Sequence, residues 1–253
     1  MSRERPFASR VVAGWVTDTG RVRDHNEDAC FVDADRGLLV VSDGMGGHQA
    51  GALASQVVVK VLPEMIAQGV AAIGKASADA MRVCLREAIM KVSRTIREQS
   101  AGRIGLQGMG ATVVLVLVRE RFAYIAHMGD SRAYLLRDGR LDLLTDDHSV
   151  VGILLRHGDI TPKQAREHPV RGELSRFVGM EGEVYPDVRT VAMKKGDRLL
   201  LCTDGLTGML TEKRIASLLK APRSAQDASR SLIDAANEAG GMDNITAVVA
   251  DWA

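Results

Sequence analysis

The sequence has few of the features that mark several large classes of protein. It has three cysteines, Cys30, Cys84 and Cys202, each far from the others and flanked by apolar residues, which favours buried free thiols over a disulfide framework. Its 33 Lys and Arg nearly balance its 32 Asp and Glu, so no overall field favours nucleic acid or a membrane surface. The longest strongly apolar run, residues 113–118, is too short to span a bilayer. The first ten residues lack the apolar core of a secretory signal, so we expect a cytoplasmic protein without nucleic-acid or membrane partners.

What the chain does have is enough apolar residues for one large core. Hydrophobic residues make up 46% of the 253 positions and charged residues 26%, the mixture typical of a soluble globular domain. No internal repeat and no linker rich in proline, glycine and serine divides the sequence. We therefore expect residues 1–253 to form a single, monomeric domain.

The spacing of apolar residues predicts a mixture of strands and helices. Helices are predicted at residues 52–67 and 81–96, with two more beginning at Thr211 and Ser224 and a short one capped by Thr161. Because short turns join consecutive strands, we expect antiparallel pairing and an α+β fold of packed sheets covered by helix pairs. The predicted strands are residues 11–16, 29–32, 38–41, 111–118, 122–128, 132–137, 141–144, 188–193, 198–202 and 245–250.

Four aspartates stand at the ends of predicted strands: Asp43, Asp130, Asp204 and Asp243. Strand ends of one sheet system can converge at one edge, where four carboxylates repel one another unless a cation neutralises them. Mg²⁺ and Mn²⁺ take such oxygen ligands. Asp-Gly after a strand is also a common turn without any ligand, so spacing alone leaves both interpretations open.

Asp43 opens a run that is unusually rich in glycine, with Gly44, Gly46, Gly47 and Gly51 close behind it. This much backbone freedom indicates that something approaches the main chain closely. A dinucleotide site is disfavoured, because Gln49 replaces the third glycine of that fingerprint and Asp43 would repel a pyrophosphate.

Two other sites are disfavoured as well. Asp33 and Asp35 resemble the paired aspartates of one class of phosphatases, but they lie in a charged turn before the strand at 38–41. Zinc is disfavoured because the six histidines show no paired spacing and the sequence has no CxxC.

Seven short motifs occur in an order that is far more specific than any one of them. Together they resemble the metal-dependent serine/threonine protein phosphatases of type 2C (PPM), in their compact bacterial form, over about residues 14–250. The motifs are Arg23-Asp-His-Asn-Glu-Asp28, Ser42-Asp-Gly-Met-Gly-Gly-His48, Gly110-Ala-Thr112, Gly129-Asp-Ser-Arg132, Asp147-His-Ser149, Thr203-Asp-Gly205 and Asp243-Asn-Ile-Thr246.

This resemblance implies a central antiparallel β-sandwich flanked by helix pairs, in α-β-β-α layers, with a dinuclear metal centre at one end. It implies two Mg²⁺ or Mn²⁺ ions, bridged by Asp43, with the Gly44 carbonyl on one ion and Asp204 and Asp243 on the other. Glu27 is implied to hold metal-bound water.

Further roles follow from the same resemblance. Asp130, with help from Asp204, is implied to form a third metal site, although Gly208 stands where some relatives carry another aspartate. Arg23 is implied to grip the substrate phosphate.

The general acid stays open. His48 is one candidate and metal-bound water is the other. Animal members place their histidine directly after the Asp-Gly pair, whereas here Met-Gly-Gly separates His48 from that pair. Asp28 and Asn244 are implied to orient the neighbouring groups.

Residues 148–185 correspond to a mobile flap beside the cleft in bacterial members of this family. From Arg156 to Arg176 the sequence has five Lys or Arg residues and three Asp or Glu residues. This excess of positive charge fits contact with an acidic phosphoprotein and equally fits a solvated helical face.

The resemblance implies hydrolysis of phosphoserine and phosphothreonine monoesters in proteins by a metal-bridging water, opposing a bacterial serine/threonine kinase. Two alternatives stay open: an inactive phosphoprotein-binding module of the same fold, and a phosphomonoesterase acting on small molecules.

Overall fold

The structure is a computed structural model that describes residues 11–74, 77–183, 185–221 and 223–253, apart from the side chain of His48. Its strands are β1 (Val11–Asp18), β2 (Asp28–Asp33), β3 (Leu38–Met45), β4 (Gly110–Ala111), β5 (Val113–Arg119), β6 (Phe122–Met128), β7 (Arg132–Arg137), β8 (Arg140–Leu143), β9 (Asp187–Ala192), β10 (Arg198–Cys202) and β11 (Ile245–Trp252). Its helices are α1 (His48–Ile73), α2 (Ala78–Ser100), α3 (Val150–His157), α4 (Pro162–Arg166), α5 (Asp204–Thr207), α6 (Glu212–Lys220) and α7 (Ala225–Glu238).

The strands form two antiparallel sheets, which confirms the predicted α+β class. The first sheet has the strand order β1-β11-β10-β7-β8. The second has the order β2-β3-β5-β6-β9, with β4 paired to the end of β3. Each sheet thus combines strands from distant parts of the chain, so residues far apart in sequence meet at the strand ends.

Alternating side chains of the central strands point into two different cores. In β3, Leu39 and Val41 belong to the cluster between the sheets, whereas Leu38 and Val40 pack with α1 and α2 on the outer face. In β10, Leu199 and Leu201 likewise face the other sheet, and a third cluster joins the first sheet to α6 and α7. Helix pairs therefore cover both outer faces, as the sequence predicts.

The prediction of one continuous strand at residues 111–118 is wrong in one respect, because the strand is interrupted at Thr112. Gly110 and Ala111 pair with the end of β3 as β4, and pairing resumes at Val113 with β6. The break has a local cause. The Thr112 N–H donates to the Asp43 carbonyl at 2.8 Å, and its hydroxyl oxygen accepts from the Asp43 N–H at 2.9 Å, which takes Thr112 out of the regular ladder.

The first helix is longer than predicted at both ends. It begins at His48, inside the glycine-rich run, and ends at Ile73, with Pro63 in its interior. Its stretch Gln49–Ile73 is the one helix among the described residues that is long and apolar enough to cross a membrane by length and composition alone. Ala54, Val58 and Leu62 of this helix are fully buried against the second sheet.

Three smaller features complete the fold. The predicted capping box at Thr161 is present at the start of α4. All three cysteines are free thiols, as expected, although Cys30 is only partly buried. At the edge of the first sheet, the Gln226 side chain accepts from the Trp15 N–H at 3.2 Å and donates to the Trp15 carbonyl at 3.0 Å.

Candidate metal centre

The site begins with two aspartates that face each other on neighbouring strands. Residues 38–42 of β3 are buried, and Asp43 follows them. In the register of β2 and β3, Asp28 lies directly opposite Asp43. Two carboxylates are therefore placed side by side at the end of a strand that is apolar on both faces.

Three more aspartates reach the same place from other elements. Asp43 has a pKa well above its usual value, first because it is removed from water and then because of its negative neighbours. In order of effect these neighbours are Asp28, Asp204, Asp130 and Asp243. The structure thus brings together all four strand-end aspartates that the sequence singled out.

The loop between β1 and β2 carries Glu27 to this cluster, and Asn244 holds the loop in place. The Asn244 side-chain oxygen accepts from the Glu27 N–H at 2.8 Å, and its amide nitrogen donates to the carbonyls of Thr19 and His25 at 2.9 and 2.8 Å. Asn244 immediately follows Asp243, so one residue ties the Glu27 loop to the start of β11.

Arg23 lies on the same loop and meets the cluster at its solvent side. Its Nη2 donates to Asp243 Oδ2 at 2.8 Å, and 52% of its side chain is exposed. A guanidinium has five N–H donors in a planar fork, so this contact leaves others able to bind a phosphate.

The glycine-rich run allows the close approach that its composition indicates. A Cβ on Gly44 would lie 2.0 Å from the Gly51 carbonyl oxygen, and a Cβ on Gly51 would lie 1.8 Å from Glu27 Oε2. Between them, Gly46 and Gly47 have φ angles of 116° and 86°, where other residues are strained. The run packs the start of α1 directly against β3 and the Glu27 carboxylate.

Two threonines support Asp28, and sequence reasoning gave them no role. Thr203 Oγ1 and Thr246 Oγ1 donate to Asp28 Oδ2 at 2.9 and 2.7 Å, whereas Asp28 Oδ1 is buried without a protein partner. Burial raises the pKa of Asp28 to about 7, although these two hydrogen bonds act to lower it. Both threonines occur in the quoted motifs, so only their partners were missing from the sequence reading.

The donor set fits a small, hard divalent cation. It consists of the carboxylates of Asp28, Asp43, Asp130, Asp204 and Asp243, whose oxygens are ligands of the kind that Mg²⁺ and Mn²⁺ prefer. The raised pKa values of Asp43, Asp130 and Asp204 have burial and mutual repulsion as their main causes, and a bound cation relieves both. The unpartnered Asp28 oxygen fits the same interpretation.

Two positions singled out in the sequence add no side-chain ligand to the described site. His48 is the first residue of α1, but its side chain lies outside the described part of the chain. Gly208 caps α5, where its N–H donates to the Asp204 carbonyl at 2.6 Å, and as a glycine it offers no carboxylate for a third metal site.

The chain is similar to known proteins over nearly its whole length. The serine/threonine phosphatase Stp of Listeria welshimeri is 39% identical over 238 residues, which are 93% of each chain. Among solved structures, the serine/threonine phosphatase Stp1 of Staphylococcus aureus is 32% identical with a TM-score of 0.87, covering 99% of this chain and 98% of its own.

A second solved structure adds a chemical detail. It is the catalytic domain of the serine/threonine protein phosphatase PstP in complex with two manganese ions, 33% identical with a TM-score of 0.80, covering 95% of this chain and 97% of that one. A family model described as Protein phosphatase 2C matches residues 20–246. The chain therefore belongs to the protein phosphatase 2C family.

Proposed function

We propose that this chain is a Mg²⁺- or Mn²⁺-dependent protein phosphatase that hydrolyses phosphoserine and phosphothreonine. The observation that carries the proposal is the convergence of Asp43, Asp204 and Asp243 from three different elements, with Arg23 at the solvent side. Two negative charges seldom share a buried site without a positive charge to balance them. Here several carboxylates lie together, which favours a bound cation. Membership of the family and the manganese bound by a relative support the same conclusion.

In this proposal Asp43, Asp204 and Asp243, together with the Gly44 carbonyl, would hold the two ions. Asp130 belongs to a third site. When bound, such ions supply positive charge for the phosphoryl oxygens and lower the pKa of water.

The other side chains position these groups. Glu27 would orient the water, because Asn244 holds its backbone N–H and the glycine run packs against its carboxylate. Arg23 binds the substrate phosphate with its free N–H groups, and Asp243 fixes the direction of its guanidinium. Because Arg23 is half exposed, it can meet a phosphate that projects from a protein surface. His48 or water gives the leaving alkoxide its proton.

The partners and the architecture belong to the same proposal. The substrates are phosphoproteins, and the enzyme opposes a bacterial serine/threonine kinase. Residues 148–185, called the flap segment below, lie beside the cleft of a single catalytic domain and contact the substrate protein.

The test is hydrolysis of a phosphothreonine peptide with Mn²⁺ or Mg²⁺. We expect chelator to abolish turnover and Asp43→Asn to lower it by on the order of a hundredfold or more, since one charge at the reacting centre is lost. Asp142→Asn, in an exposed ion pair with Arg140 on β8, is the matched control and should retain full activity.

Activity that persists in chelator, or in Asp43→Asn, would exclude the proposed function. Calorimetry with Mn²⁺ distinguishes the active phosphatase from an inactive binding module, because the module should bind little metal. Faster turnover of a sugar phosphate than of the peptide would favour the small-molecule alternative.

A further inference from the structure

His148, the first residue of the flap segment, contacts the residue that precedes Asp130. Its Nδ1 accepts a hydrogen bond from the Gly129 N–H at 3.3 Å, and its own N–H donates to the Gly129 carbonyl at 3.0 Å. The imidazole is fully buried. Backbone and side chain of His148 together therefore hold the turn that presents Asp130 to the carboxylate cluster.

The other ring nitrogen of His148 contacts β9, the strand that follows the flap segment. Because Nδ1 accepts, Nε2 carries the proton, and it donates to Asp187 Oδ2 at 3.2 Å. Asp187 is the first residue of β9, where the chain rejoins the sheet. The contact between His148 and Asp187 thus joins the first residue of the flap segment to the strand that follows the segment.

Asp187 also binds the flap segment itself. Arg176 Nη1 donates to Asp187 Oδ1 and to the Tyr185 carbonyl, both at 3.0 Å. The backbone N–H of Ser175 donates to the His148 carbonyl at 2.8 Å. The carboxylate therefore connects the guanidinium of the flap segment to the ring that holds Gly129.

His127 fixes the orientation of the His148 ring. It lies directly opposite Asp187 in the pairing of β6 with β9, and its ring stacks on His148 with centroids 4.4 Å apart and a tilt of 25°. These three side chains bring potential metal ligands within 4.8 Å of one another. Both ring nitrogens of His148 already have partners, His127 Nε2 bonds the Asp146 carbonyl at 2.9 Å, and Arg176 neutralises Asp187, so the geometry favours a structural role over a metal site.

We propose that His148 is a positioning residue that couples the flap segment to the Asp130 metal site, through its hydrogen bonds to Gly129 and to Asp187. The inference rests on the proposed function and assigns a role to residues outside the carboxylate cluster. Its physical basis is the tautomer. While Asp187 accepts from Nε2–H, Nδ1 stays free to accept from Gly129. Without that acceptor, a buried N–H loses its partner, and the Nδ1–H form, which turns an N–H toward the Gly129 N–H, becomes accessible.

Two substitutions at Asp187 separate the two halves of this coupling. Asp187→Ala removes both the acceptor for His148 and the partner of Arg176. Asp187→Asn keeps an acceptor oxygen for His148 but loses the charge that holds Arg176. About half of the Asp187 side chain is exposed, so both variants should fold. Asp142→Ala, which breaks the exposed pair with Arg140 on β8, is the control.

For Asp187→Ala we expect weaker binding of Mn²⁺ in calorimetry by about fivefold, the size of one lost hydrogen bond, and a raised KM for the phosphothreonine peptide. For Asp187→Asn we expect the raised KM with an unchanged Mn²⁺ isotherm. Nitrogen-15 spectra of the Mg²⁺ form should show the Nε2–H tautomer of His148 in the wild type and in Asp187→Asn, and its partial loss in Asp187→Ala. Asp142→Ala should change none of these.

An unchanged Mn²⁺ isotherm and unchanged ring shifts in Asp187→Ala would overturn the proposal, as would equal effects of both substitutions on metal binding. If the wild type fails to hydrolyse the peptide, the proposed function fails, while calorimetry and the ring spectra still decide the role of His148.

Discussion

Replacing Gly51 with alanine should damage the metal centre while leaving the fold intact. Gly51 lies in the first turns of α1, where alanine is favoured over glycine by about 1 kcal/mol. The new Cβ would lie 1.8 Å from Glu27 Oε2 and 2.9 Å from the Gly44 carbonyl oxygen. Since Cβ contacts under 3.0 Å essentially never occur, the Glu27 oxygen must move by about 1.2 Å.

The magnitude follows from these two effects. A group displaced by about 1 Å from its working position costs on the order of a hundredfold in rate. The stability change should be small, within about 1 kcal/mol, because the gain in helix propensity offsets the adjustment near Gly44. We therefore expect Gly51→Ala to keep its urea midpoint but to lose about a hundredfold in kcat/KM and to bind Mn²⁺ more weakly.

The assay combines peptide hydrolysis, Mn²⁺ calorimetry and urea unfolding. Gly69→Ala is the matched control, because it makes the same change in the same helix, where the new Cβ meets Cys84 Sγ at 2.5 Å. It can lower stability, but it should leave the activity of the folded protein unchanged. Wild-type turnover and wild-type Mn²⁺ binding in Gly51→Ala would refute the reasoning, because the Glu27 carboxylate would then have no part in the site.

Two further predictions concern the groups that support the cluster. The pKa of Asp28 is about 7 in the folded protein and near 3.8 in the unfolded chain, so the folded state binds more protons between these values, and the metal-free protein should lose stability as the pH rises through them. Asp28→Asn should reduce this loss in thermal melts with chelator at about pH 5 and about pH 8, while Asp43, Asp130 and Asp204 cause the remainder, and an unchanged slope would contradict the raised pKa of Asp28. Thr112→Val leaves the Asp43 N–H and the Ser131 hydroxyl without their shared partner and should cost about 1–3 kcal/mol of unfolding free energy, measured with urea. Thr112→Ser should restore most of that loss, and a valine variant as stable as the wild type would show that these hydrogen bonds contribute nothing.

Much of the sheet structure could be predicted because local sequence decides it. The predicted strands at residues 122–128, 132–137 and 198–202 have the bounds of β6, β7 and β10. Each is a run of mostly apolar residues that is followed by a polar residue or a glycine, and burial of such a run is enough to make a strand.

The misplaced boundaries have tertiary causes. The break at Thr112 depends on Asp43, which lies 69 residues earlier in the chain. The start of α1 inside the glycine run depends on the packing of Gly51 against Glu27. Neither contact leaves a periodic pattern in the sequence. At Gly51 the packing also outweighs the low helix propensity of glycine, which would otherwise place the start of the helix later.

The candidate site divides in the same way. The convergence of the four strand-end aspartates is one of two interpretations of their spacing, and the family resemblance favours it, because strand ends can converge at one edge. The support of Asp28 by Thr203 and Thr246 could not be expected, since these residues lie 175 and 218 positions away from it. The contact of His148 with Asp187 spans the whole flap segment and likewise appears only once the chain is folded.

The side chain of Gln226 at the border of the first sheet has a consequence for the behaviour of the protein in solution. The edge strand of an open sheet has a row of unpaired backbone N–H and C=O groups, with which a strand of another chain can pair. At Trp15 a carboxamide from the neighbouring helix satisfies both of these groups and so imitates one more residue of ladder. A second copy that added a strand there would first have to displace the Gln226 side chain, which hinders edge-to-edge association of sheets at this strand.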